Sequence, residues 1–76
     1  MKQAKVSEFD KNSVEKIRVA LQDYKGQEYC DVRVWVNNSG SKEPTPTRKG
    51  VTFSVELIED LIAGLEKARD RVFGVN

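Results

Sequence analysis

Residues 27–37 read Gln-Glu-Tyr-Cys-Asp-Val-Arg-Val-Trp-Val-Asn. Cys30, Val32, Val34 and Val36 occupy every second position, and Tyr29, Asp31, Arg33 and Trp35 fill the positions between them. Successive side chains of a strand point to opposite sides, so this period of two predicts a strand with two unlike faces. The valines, branched at Cβ, suit a pleated surface that is buried on one side. The opposite face mixes aromatic rings with charge, a combination that exposure to water alone does not call for.

The stretch before it repeats the pattern. Over Lys16–Asp23, Ile17, Val19 and Leu21 alternate with Arg18, Ala20 and Gln22, and Tyr24 continues the second set. Lys25-Gly26 separates the two runs as a hairpin turn would. Downstream, residues 37–50 are rich in turn formers, and Pro44 and Pro46 lack the N–H that a central strand must donate, so the segment is loop or edge. It ends in the basic pair Arg48-Lys49 and in Gly50, and a short strand follows over Val51–Phe53. Ser54 is placed as a helix N-cap and Glu56 falls in the first turn, where the helix dipole favours an anion. From about Val55 to Phe73, Ile58, Leu61, Ile62, Leu65, Ala68 and Val72 follow a 3.6-residue period, and Gly74 closes the run as a C-terminal cap. The expected fold is α+β: a curved antiparallel sheet of three to four strands followed by one C-terminal amphipathic helix. That helix must lie across the valine face or across another helix. Residues 1–13 carry only Val6 and Phe9 as large apolar groups and read as a flexible lead-in to a single domain over 14–76.

Composition bounds the function. The chain has 76 residues, one cysteine and no histidine. It is one domain, too short to bury much more than about 60% of its unfolded surface. A single cysteine makes no internal disulfide, and without histidine neither the usual zinc sites nor a histidine-dependent nucleophilic site can be assembled. Phosphate-loop and dinucleotide fingerprints are missing, and no apolar run approaches the roughly 20 residues of a membrane span. No catalytic residue, metal, cofactor, membrane or small-molecule substrate is therefore expected. The N-terminus does not read as a secretory signal, so the expected setting is intracellular: cytoplasmic, nucleoid-associated in a bacterium or nuclear in a eukaryote. The net charge of +1 conceals two unlike parts: residues 1–53 hold ten Lys/Arg and seven Asp/Glu, whereas residues 54–76 hold three and five. This predicts a basic sheet compensated by an acidic helix.

The order of pieces is distinctive: Asp23-Tyr24-Lys25-Gly26, then Asp31-Val32-Arg33 with Trp35, then a proline-containing loop, Arg48-Lys49-Gly50-Val51, and a closing helix. Over about Ile17–Leu65 it resembles the positive cofactor four family. That is the single-stranded-DNA-binding domain of a transcriptional coactivator, with small bacterial relatives. The resemblance implies a homodimer in which helices and sheet ends pair, with single-stranded nucleic acid on the paired sheets. Matched by position, Tyr24 is the family's hairpin aromatic and Lys25 its neighbouring lysine. Arg33 is its strand arginine, and Arg48 and Lys49 are its basic pair before the turn glycine. Trp35 stands where the animal coactivator has the Tyr of a Tyr-Trp pair, whose Trp position is Val36 here; the bacterial relatives carry Trp at the Trp35 position. The animal protein's serine-rich acidic tail has no counterpart.

The residues support the same surface. Rings at Tyr24, Tyr29 and Trp35 offer stacking planes worth about 1–3 kcal/mol per base with little regard to sequence. Arg18, Lys25, Arg33, Arg48 and Lys49, with Lys16, are placed to meet phosphates. Ile58, Leu61, Ile62 and Leu65 are the expected dimer contacts. Plainer readings stand beside these. Trp35 and Tyr29 could be cross-strand partners only, Arg33 and Asp31 a surface ion pair, and Arg48-Lys49 a solvated turn. Cys30 reads as a small core residue. The expected function is a homodimeric single-stranded-DNA binder with little sequence preference, acting in transcription regulation, replication or repair. The alternatives are an RNA-preferring version and a module that binds an extended peptide on its sheet.

Overall fold

A computed structural model describes residues 2–37 and 43–74. Four strands, β1 (Lys2–Asp10), β2 (Glu15–Tyr24), β3 (Gln27–Val36) and β4 (Thr45–Ser54), form one antiparallel sheet in the order β1-β2-β3-β4. A 3-10 turn, Val55–Leu57, leads into the helix α1 (Ile58–Phe73).

The central pair follows the predicted alternation. Ile17 faces Val34, Val19 faces Val32 and Leu21 faces Cys30, while Arg18 faces Arg33 and Gln22 faces Tyr29. Lys25 and Gly26 have φ of 53° and 79°, the positive pair that a tight hairpin turn requires. Gly74 caps the helix at φ 68°, its N–H donating to the Asp70 carbonyl.

Three expectations are corrected. The segment read as a flexible lead-in contains β1, paired along its length with β2. Backbone hydrogen bonds hold an edge strand whatever its side chains are, and a bulge between Lys5 and Ser7 breaks the period that would have marked it. Asn12 closes the connection to β2, its Oδ1 accepting from the N–H groups of Val14 and Glu15 at 3.0 and 2.8 Å. Second, the short strand Val51–Phe53 is the end of the ten-residue edge strand β4, which accommodates Pro46 because an edge leaves one row of N–H groups unpaired. Third, Ser54 makes no side-chain cap, and the chain turns once as a 3-10 helix before α1 begins at Ile58. The loop reading of residues 38–42 lies outside the described residues.

The helix does not seal the valine face. Phe9, Ile17, Val19, Cys30, Val32 and Phe53 from the sheet, and Ile58, Leu61, Ile62 and Leu65 from α1, line a cavity of about 460 Å³ between them. Among the described residues only Ala20, Cys30 and Asp31 are buried. The radius of gyration is 14.5 Å, against about 11 Å for a compact chain of this length. One copy therefore has a sheet and a helix with no closed core between them.

Candidate nucleic-acid interface

The β2–β3 hairpin brings Tyr24, Lys25 and Tyr29 together. Tyr24 is exposed, and the Lys25 ammonium sits 5.3 Å from its ring centroid, within cation–π range. Gln22, Tyr24, Tyr29 and Thr52 line a shallow groove of about 200 Å³. Gln22 and Thr52 were not singled out in the sequence, since only the pairing of Gln22 with Tyr29 and of Asp31 with Thr52 brings them to this place.

Arg33 is tied into the sheet. Its Nε donates to both Asp31 oxygens at 3.2 and 3.1 Å, and its Nη2 donates to Oδ1 at 2.8 Å. Nη1 donates to the Thr47 carbonyl at 2.9 Å and Nη2 to the Thr52 hydroxyl at 3.3 Å; that hydroxyl donates to Asp31 Oδ1 at 2.7 Å. Asp31 is almost fully buried. Burial pushes its carboxyl up, but the hydrogen bonds from Arg33 and Thr52, with the Arg33 charge, outweigh burial and hold it below the ordinary value. The Asp31 hydrogen bond in turn raises Arg33. The pair thus joins β3 to β4 and fixes the guanidinium on the polar face.

A wide bulge presents the basic pair. Arg33 pairs with Gly50 and Trp35 with Pro46, so Thr47, Arg48 and Lys49 lie opposite the single residue Val34. Thr47 holds the bulge, its hydroxyl donating to the Val34 carbonyl at 2.8 Å and accepting from the Lys49 N–H at 3.1 Å. Arg48 and Lys49 are exposed as a result. Gly50 restores the register at a point where a Cβ would lie 2.7 Å from the Val32 carbonyl oxygen.

Trp35 and Arg18 are both half-buried and meet each other. The Arg18 guanidinium lies 3.7 Å from the Trp35 ring centroid, and its Nε donates to Glu8 Oε2 at 2.9 Å. The Arg18 hydrogen bond holds the Glu8 carboxyl below its ordinary value despite an opposing effect of burial. Other cations are also matched. Lys16 donates to Asp10 at 2.7 Å and is raised by that bond. Lys11 and Asn12 donate to Glu15 Oε1 at 2.9 and 2.8 Å, and Lys49 reaches the other Glu15 oxygen at 4.0 Å. The excess of basic charge in the sheet and of acidic charge in the helix stands, and the structure adds that many sheet cations are already paired locally with carboxylates of β1, Glu15 and Asp31. Of the six cations expected to meet phosphates, Lys25 and Arg48 have no carboxylate partner among the described residues, and that of Lys49 is distant.

The four expected dimer residues share one wall of the apolar cavity; Ile58 is half-buried and Leu61, Ile62 and Leu65 are exposed. Among the described residues no cluster of His, Cys, Asp or Glu could hold a metal ion, and no helix is long and apolar enough to cross a membrane.

Comparison with known proteins follows the same outline. The family described as Transcriptional Coactivator p15 (PC4) matches residues 11–64. The tetragonal crystal structure of BPSL1147, a PC4 homolog from Burkholderia pseudomallei K96243, superposes with a TM-score of 0.81 at 29% identity, covering 90% of this chain and 98% of that one. Its orthorhombic form gives 0.80 at 30% identity over 87% and 88% of the two chains. The bacteriophage T5 homolog of the eukaryotic coactivator PC4, described as implicated in recombination-dependent DNA replication, shares the fold at a TM-score of 0.61 and 19% identity, covering 97% of this chain and 80% of that one. No curated protein gives a significant match.

Proposed function

The chain belongs to the family of the Transcriptional Coactivator p15 (PC4), and on that premise we propose that it binds single-stranded DNA as a homodimer with little sequence preference. It would act where strands lie open, in transcription regulation, replication or repair, without a catalytic step. The observation that carries this is the shallow groove between Tyr24 and Tyr29, flanked by Lys25. Rings on a shallow surface serve unstacked bases. Duplex bases are already stacked, and the polar face offers no helix to enter a major groove. Lys25, Arg48 and Lys49, the cations least committed to carboxylates, add three phosphate partners per copy.

The open apolar cavity supports the dimer. A second copy covering the exposed Leu61, Ile62 and Leu65 would remove apolar surface from water at roughly 25 cal/mol per Å². It would also double a stacking face that is narrow in one chain. Both sheet edges disfavour the peptide-binding alternative: β1 is bulged and β4 carries Pro46 and the wide bulge, features that blunt strand addition.

Fluorescence anisotropy with one oligonucleotide, single-stranded and as duplex, tests the reading. We expect a preference for the single strand and a log–log salt slope near −4, about −0.7 for each of six phosphates on a dimer. Equal affinity for the duplex at moderate salt refutes it.

A further inference from the structure

We propose that Glu8 is a specificity-determining residue of the nucleic-acid surface: its carboxylate holds Arg18 over Trp35, so the ring opens to a ligand that brings a base and a phosphate together. The proposal rests on the single-strand reading above.

The arrangement is built by register. Glu8 and Arg18 are direct partners across β1 and β2. Arg18 is paired with Arg33, which makes Trp35 its diagonal neighbour on the same face. At 3.7 Å from the ring centroid the guanidinium is in van der Waals contact, and a base cannot share that side of the ring. The Arg18 and Glu8 side chains are only 17% and 20% exposed, so the pair is partly sheltered from water.

Arg18 has two partners, and a nucleotide unit can replace both. Its phosphate substitutes for the Glu8 carboxylate, and its base substitutes for the guanidinium on Trp35. Glu8 is not stranded by the exchange, because Lys5 lies 3.8 Å away and Lys16 adds its field. A base without phosphate displaces Arg18 from the ring and gives it no anion. A polyanion without bases draws Arg18 away and leaves the ring without its cation. Each then replaces one interaction and loses the other.

Trp35 is the chain's only tryptophan, so its fluorescence reports this exchange directly. The test uses the full chain with two probes, oligo(dT) of about 20 nucleotides and a strand of abasic sites of equal length. Binding is read by anisotropy and Trp35 by intrinsic emission. In the wild type we expect oligo(dT) to quench Trp35, and the abasic strand to bind at least about tenfold more weakly without quenching. In Glu8→Gln, and in Glu8→Ala as a second variant, Arg18 is no longer held by a charge. The abasic strand should then gain about threefold or more in affinity, and its salt slope should steepen by about 0.7 per copy. The gap between the two probes narrows.

Anisotropy binding of oligo(dT) without any change in Trp35 emission overturns the proposal and leaves the single-strand reading intact. So does a probe ratio that Glu8→Gln and Glu8→Ala leave unchanged. If no strand binds at all, both readings fall. Should one variant fail to fold, the other decides the role of Glu8, because the wild-type comparison reports only that a base reaches Trp35.

Discussion

Replacing Gly50 by alanine tests the junction on which the basic pair and Arg33 both depend. A Cβ there would lie 2.7 Å from the Val32 carbonyl oxygen and 2.9 Å from both Cα and Cβ of Arg33. Ordinary carbon contacts begin near 3.5 Å, so β3 and β4 must part by about 0.6–0.8 Å at this point. The obstructing atoms are backbone and the stem of Arg33, so no side-chain rotation relieves the clash. Overpacking of this kind costs about 1–3 kcal/mol. Parting the strands also strains the Arg33 contact to the Thr47 carbonyl and the Thr52 contact to Asp31, each worth about 1 kcal/mol. Alanine gains back roughly 0.4–1 kcal/mol by restricting the unfolded chain. The net expectation is a loss of about 2–3 kcal/mol. Urea unfolding at fixed protein concentration measures it. With a denaturant dependence of about 1 kcal/mol per molar, the midpoint should fall by about 2–3 M. A Gly50→Ala protein as stable as the wild type would refute the close approach and the account of the bulge built on it.

Three other outcomes are expected. Leu65→Glu places a charge at a position 60% exposed in a single chain, so it should leave the fold intact and shift the sedimentation mass from two chains to one; an unchanged dimer mass would move the interface elsewhere. Tyr24→Ala should keep the fold, because the side chain is exposed, and should weaken single-strand binding by about 1–3 kcal/mol by anisotropy; unchanged affinity would remove Tyr24 from the surface. Asp31, Glu8 and Glu15 are held below the ordinary carboxylate values, so their contribution is present above those values and lost as pH falls through the lowered ones. The thermal midpoint should therefore drop as pH falls below about 4.5, and a profile that stays flat in acid would contradict the ion-pair assignments.

The central hairpin could be read from the sequence because both strands bury one face, and burial enforces a period of two on Ile17, Val19 and Leu21 and on Cys30, Val32 and Val34. The turn was legible because Lys25-Gly26 needs two positive φ angles and glycine supplies one without strain. Of the edges only Val51–Phe53 was legible, for the same physical reason. β1 and β4 are held through backbone groups common to every residue, and each carries a bulge that erases alternation. The roles of Glu8, Asp10 and Thr52 were hidden with them, since each acquires its partner only through register. Trp35 marks the limit of face assignment. Its place on the polar face follows from alternation, but Arg18 lies above it because of a diagonal relation between strands.

The net charge of +1 bears on mechanism once the pairs are known. A sheet whose cations were all free would attract any polyanion at long range, with little discrimination. Here Arg18, Lys16 and Arg33 each meet a carboxylate within 3 Å, which cancels most of their field beyond the surface. Among the described side chains of the sheet, those left unmatched lie at the hairpin tip, with Lys25, and at the β4 bulge, with Arg48 and, less fully, Lys49. Under the proposed reading a strand is therefore attracted first at these two places. It engages the paired cations only at short range, where phosphates can compete with the carboxylates already there. The affinity of one copy is limited by that competition. Doubling the unmatched sites in a dimer adds attraction without removing the internal pairs that keep each sheet in register.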